Sequence, residues 1–197
     1  MTKNSCKSPH RIFIAGPHYN NAEKVEQAKI ALLLEQNGFT TFLPQRDGFT
    51  SDRVVSQLIS EGRSEVVAQE EASQIIHDYY VYHLIKSSIV VSNMNGIHPD
   101  AETVAINAIA YSASMPVIFY RDDERRFSNS HEIVPFINAH KSLPTVRRIG
   151  DIPKNVIASI SKVGTKSLPD NIKEAVRAGS QILPSRFRKN CKNVFNL

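Results

Sequence analysis

Four short polar clusters, each directly after an apolar run, hold the residues best suited to chemistry. They are Gly16-Pro17-His18-Tyr19-Asn20, Gln45-Arg46-Asp47-Gly48, Asn93-Met94-Asn95-Gly96 through Asp100, and Arg121-Asp122-Asp123-Glu124-Arg125. Carboxylates such as Asp100 and Glu102 can accept hydrogen bonds from ligand hydroxyls or exchange a proton, and Arg46 can meet an anion. Tyr19 and Tyr80 offer flat faces on which a base can stack. Gly16 permits close backbone approach. Neither GxGxxG nor GxxxxGK[ST] is present, so a ligand smaller than a dinucleotide is expected. His18 and His98 have no ligand spacing, and Cys6 and Cys191 lie near opposite ends without a CxxC. No metal site, disulfide framework or cofactor is expected.

Each of these residues also has a plain structural use. Asp100 stands where it can cap the helix that follows, Arg46 and Asp47 can pair locally, and Asp122 and Asp123 can close a turn. Asn107 and Asn138 have surface hydrogen bonding as their default role.

The clusters need elements that bring them together. RIFIA at 11–15 reads as a buried strand stopped by Gly16-Pro17, and 23–36 as a helix stopped by Asn37-Gly38. Residues 40–43 read as a strand, 51–69 and 72–86 as helices, 88–94 as a strand and 101–114 as a helix. Residues 116–120 (PVIFY) and 145–149 are further strands, with helices at 153–162 and 170–182. Strands alternating with helices predict an α/β fold, an open parallel sheet of about five strands with helices on both faces. In such a sheet ligands bind beyond the carboxyl ends of the strands, where all four clusters fall.

Composition frames this reading. The chain has 197 residues, 41% of them hydrophobic, enough for one sizeable core. The expected organisation is an N-terminal tail at 1–10, one domain at 11–165, and a basic C-terminal helix and tail at 166–197. No apolar run approaches the roughly 20 residues that cross a bilayer, and 1–8 is polar, so no membrane association and a cytoplasmic location are expected. The net charge of +5 admits an anionic ligand. Arg186, Arg188, Lys189 and Lys192 crowd the C-terminal segment, which lacks the interleaved aromatic residues of single-strand binders and reads as a solvated tail. Nucleic acid is therefore not an expected partner.

RIFIAGP, then GFTTFLPQRDG, then NMNG-x-x-PD with Thr103 and Ala110-Tyr111, then PVIFYRDDERR, stand in the order and spacing of a known family. On these motifs, roughly residues 11 to 165 resemble the nucleoside 2-deoxyribosyltransferase family. The resemblance implies a flavodoxin-like α/β fold, oligomers whose sites are completed across subunits, and cleavage or exchange of the N-glycosidic bond of deoxynucleosides. Related hydrolases cut that bond in a monophosphate.

Breaking a sugar to base bond leaves positive character on the anomeric carbon, so one carboxylate must attack or stabilise it while an acid protonates the departing base. The resemblance implies a nucleophilic glutamate three residues beyond Thr103, where this chain has Ile106. It implies a second acid at Tyr80, and an asparagine reaching into a neighbouring subunit at Val134, before Pro135. Three departures strike the chemistry while the scaffold motifs stay. Glu102 is one turn N-terminal to Ile106, about 6 Å along the helix axis, and Asp78 lies near Tyr80; these are the candidate substitutes. The resulting expectation is a nucleoside or nucleotide binding protein with lost or reduced cleavage, associating with itself or with an active paralogue. Its expected ligand-binding residues are Gly16, Pro17, Tyr19, Arg46, Asp47, Tyr80, Asn95, Gly96, Asp100 and Asn107. The alternative is an active transferase or N-glycosidase with a rewired acid, Glu102 or Asp78.

Overall fold

The computed structural model describes residues 8–96, 100–122, 145–166 and 168–187. Strands β1 (Arg11–Ala15), β2 (Thr40–Phe42), β3 (Ile89–Asn93), β4 (Val117–Tyr120) and β5 (Thr145–Val146) form one sheet in the order β2-β1-β3-β4-β5. Every pairing is parallel, with Ile14 opposite Val91 and Val91 opposite Ile118. The sequences of β3 and β4, IVVSN and VIFY, are rich in branched and aromatic residues and buried at every position. That is the composition of strands covered on both faces.

The helices are α1 (Asn21–Gln36), α2 (Pro44–Asp47), α3 (Ser51–Ser60), α4 (Glu65–Lys86), α5 (Ala101–Ser112), α6 (Ile152–Ile160), α7 (Asp170–Ser180) and α8 (Pro184–Phe187). One face of the sheet, with Ile12, Ile14, Ile89, Val91 and Ile118, is covered by Ile30 and Leu34 of α1 and Val156 of α6. The other, with Phe13, Phe42, Val90 and Phe119, is covered by α3, α4, α5 and α7. Chain order sends β2 to one side of β1 and β3 to the other. The switch point lies between the carboxyl ends of β1 and β3, flanked by the starts of α1 and α5.

Two differences from the sequence reading of the elements go beyond shifts of two or three residues at their ends. The break expected near residue 70 falls at 61–64, because Gly62 adopts φ 93° in the turn after α3 while Ala68 and Ala72 both stay on the buried face of an unbroken α4. The polar cluster after β2 is itself a helical turn, α2, opened by Pro44. The C-terminal segment is no solvated tail as far as residue 187. Ile172, Ala175 and Phe187 are buried in the same core as α4, and Arg186 pairs with Glu61. Among the described residues no helix is long and apolar enough to cross a membrane.

Candidate functional site

The loop after β1 and the cap of α5 meet at the switch point. Asn20 and Glu23 form a reciprocal capping box that starts α1, with Glu23 N donating to Asn20 Oδ1 at 3.0 Å and Asn20 N to Glu23 Oε2 at 3.1 Å. This fixes the turn that carries Gly16, Pro17, His18 and Tyr19. A Cβ on Gly16 would collide with the Gln27 amide and stand 2.8 Å from Asn93 Cβ, so glycine lets α1 and β3 close on this turn. Pro17 O accepts from Gln27 Nε2 at 3.4 Å. Tyr19 is 71% exposed, yet its hydroxyl donates to Asp100 Oδ1 at 2.6 Å. That bond raises the Tyr19 phenol to about 12.

Asp100 caps α5 as expected, Oδ2 accepting from Thr103 N and Thr103 Oγ1 at 2.7 Å each. Burial pushes the Asp100 carboxyl up, but the bonds from Tyr19 and Thr103 outweigh it and hold the group below its ordinary value. Two segments 81 residues apart are thus joined by an ionised carboxylate.

Asn95 and Gly96 sit in a polar strut beside that pair. Asn95 Nδ2 donates to Glu26 Oε1 at 3.0 Å and to Asp122 Oδ1 at 2.8 Å, and Asp122 N donates to Asn95 Oδ1 at 3.0 Å. Asn93 Nδ2 reaches Glu26 Oε2 at 2.7 Å and the Tyr120 hydroxyl reaches Asp122 Oδ2 at 2.6 Å. Burial, reinforced by Asp122, raises the Tyr120 phenol. Gly96 O accepts from Arg121 Nη2 at 3.4 Å. Sequence reasoning missed Glu26. No local signal marks it, because its partners Asn93 and Asn95 lie 67 and 69 residues away along the chain.

Arg46 and Asp47 hold each other. Arg46 Nε and Nη2 donate to Asp47 Oδ1 and Oδ2 at 2.9 and 3.0 Å, and Nη1 donates to Glu35 Oε1 at 2.9 Å. Asp47 Oδ2 also accepts from Leu43 N at 2.8 Å. These bonds, Asp47's first, raise the guanidinium. The pair orders the turn after β2, and among the described residues no hydrogen bond joins it to Tyr19 or Asp100.

Tyr80, Glu102 and Ile106 come together around a cavity of about 340 Å³ between α3, α4 and α5, which Ser51, Ile76 and Ile109 also line. Ile106 is 9% exposed, so its side chain belongs to the core as well as to the cavity wall. The Tyr80 hydroxyl donates to Phe49 O at 3.4 Å, and burial, with Glu102 adding, raises its phenol to about 12. Glu102 stands at the rim, its carboxyl raised by burial and by Asp100, with His18 opposing.

Asp78 is elsewhere. Two positions from Tyr80 on a helix is about 200° around the axis, and Asp78 is buried with Oδ1 accepting from Gln74 Nε2 at 2.8 Å and from His77 Nδ1 at 2.9 Å. It does not line the cavity. Asn107 is buried rather than on the surface, donating from Nδ2 to Ser92 Oγ at 2.9 Å, and its Oδ1 has no partner among the described residues. His98, Asp123, Val134 and Asn138 lie outside the described residues.

The family model described as Nucleoside 2-deoxyribosyltransferase matches residues 12–172. Among solved structures, the chain is similar to a 2-deoxyribosyltransferase from the psychrotolerant bacterium Bacillus psychrosaccharolyticus, at 18% identity and TM-score 0.51, over 80% of this chain and 99% of that one. It is also similar to a conserved protein from Enterococcus faecalis V583, at 16% identity and TM-score 0.43, over 86% of this chain and 87% of that one. No curated protein matches the chain. The fold is that expected, an open all-parallel α/β sheet of the flavodoxin-like kind.

Proposed function

The chain belongs to the nucleoside 2-deoxyribosyltransferase family, and from that premise we propose that it binds a nucleoside or nucleotide at the switch point, with N-glycosidic bond cleavage lost or reduced. One observation carries the reading. Ile106 and Tyr80, standing where the resemblance implies the nucleophile and the second acid, line the same cavity, while the Tyr19–Asp100–Thr103 cap beside it is complete. Binding needs the scaffold and its donors and acceptors. Turnover needs two differently tuned carboxyl groups, and removing a covalent nucleophile costs up to roughly 10⁶ in rate.

A second reading has its own observation. Glu102 lines that cavity and its carboxyl is raised by burial, the direction of shift that favours a carboxyl acting as a proton donor. An active transferase or N-glycosidase would use Glu102, and Asp78 has no comparable support. The molecule is proposed to work in the cytoplasm as a homo-oligomer or beside an active paralogue.

Incubating the pure protein with deoxynucleosides and their monophosphates, and assaying free base, separates the readings. Binding without base release, and release appearing in Ile106→Glu, is the expected result. Release by the natural chain that Glu102→Gln abolishes would establish the second reading instead.

A further inference from the structure

The Asp100 carboxylate is saturated, and only one of its donors is free to leave. Oδ2 accepts from Thr103 N and Thr103 Oγ1 at 2.7 Å each, Oδ1 accepts from the Tyr19 hydroxyl at 2.6 Å, and Glu102 N adds a further bond. A carboxylate offers about four such sites. The donors on Thr103 and Glu102 belong to the first turn of α5, where the cap satisfies the helix start, and Thr103 is 1% exposed, so its hydroxyl has no water to turn to. The Tyr19 hydroxyl comes from another element. Its ring is 71% exposed and meets His18 in an offset stack, centroids 5.7 Å apart and planes 6° from parallel, so it loses little packing by moving.

The backbone beneath that ring is held. Tyr19 N donates to Glu23 Oε2 at 2.8 Å, beside the capping bond from Asn20 N, and Gly16 is wedged between Gln27 and Asn93. Motion is therefore confined to the side-chain torsions of Tyr19. In the nucleoside-binding reading above, on which this inference rests, Asp100 is one of the residues that hold the ligand. A ligand hydroxyl reaches its carboxylate only by replacing the one donor that can swing out. We propose that Tyr19 is a gate, its side chain closing on Asp100 before ligand binds and being displaced when a sugar hydroxyl of the ligand takes over the bond. The phenol is raised to about 12 and the carboxyl is held below its ordinary value, so donor and acceptor stay paired around neutral pH and the ligand, not a proton, opens the gate. The closed fraction weakens the apparent affinity in proportion, because only the open form binds.

Calorimetric titration of the full chain and of Tyr19→Phe with the common 2′-deoxynucleosides tests this. Phenylalanine keeps the ring and removes only the competing hydroxyl, so the expected result is roughly threefold to tenfold tighter binding, as for a gate closed in most molecules. The gain should vanish with either the 2′,3′-dideoxy or the 2′,5′-dideoxy form of the same nucleoside, whichever lacks the displacing hydroxyl. In NMR spectra of tyrosine-labelled protein, the ring signals that Tyr19→Phe deletes should shift on adding the 2′-deoxynucleoside but not that dideoxy form. Binding by Tyr19→Phe and not by the natural chain would also support the gate, as one shut more firmly. Binding by Tyr19→Phe that is equal to or weaker than that of the natural chain would make Tyr19 a fixed clasp or platform, and would overturn the gate while leaving nucleoside binding intact. Absence of binding by both chains would overturn the nucleoside reading and the gate with it.

Discussion

At the scale of single residues, the two carboxylates at the start of α5, Asp100 and Glu102, are tuned in opposite directions. Asp100 is stabilised as an anion by its donors, whereas Glu102 is held above its ordinary value by burial. These opposite shifts have opposite signs in linkage. A carboxyl raised in the folded state binds its proton more tightly there than in the unfolded chain, so stability falls as pH rises through the Glu102 titration. Glu102→Gln removes that dependence, and its unfolding temperature should exceed that of the natural chain by a margin that grows from acidic to neutral pH. A constant margin across that range, measured by thermal unfolding, would show that burial does not act on Glu102. Asp100 was legible in the sequence as an N-cap because Asp before a helix is a local signal. Its bond to Tyr19 was not, since nothing local relates residues 81 apart. Arg46 and Asp47 were legible as a pair of uses, and only the geometry shows the bidentate contact between them.

At the scale of elements, α4 organises the second half of the molecule. One side of it lines the cavity through Ile76 and Tyr80, and another meets α7 so closely that a Cβ on Gly179 would collide with the Asp78 carbonyl and stand 2.7 Å from Tyr82 Cβ. In an exposed helix, glycine to alanine would stabilise by about 1 kcal/mol. Here a backbone carbonyl is the obstacle and cannot rotate away, so Gly179→Ala should destabilise, by about 2 kcal/mol as for other overpacked sites. Denaturant unfolding of the two chains reads this directly, and a Gly179→Ala variant as stable as the natural chain would mean that the helices can separate at no cost. The helix break at 61–64 escaped the sequence reading for a related reason. Apolar spacing continues across Glu70-Glu71, and the turn is set by the backbone at Gly62.

At the scale of the whole molecule, the C-terminal segment as far as Phe187 is part of the core rather than an appendage. Phe187 is buried against Phe49, ring centroids 5.3 Å apart, and Arg186 pairs with Glu61 beside it. Phe187→Ala should therefore cost about 3 to 4 kcal/mol of unfolding free energy, where a solvated tail would tolerate it; a change below about 0.5 kcal/mol would return the segment to the surface. The sequence by itself determined the alternation of strands and helices, the parallel sheet and the edge at which the polar clusters gather. Those follow from periodicity, turn residues and motif order, all of which are local. Only the tertiary structure decided that Tyr80, Glu102 and Ile106 share one cavity while Asp78 faces away, that Glu26 and Asp122 are bridged by Asn95, and that α7 and Phe187 close the core. Those depend on which faces of distant elements meet, and packing, not local preference, sets that.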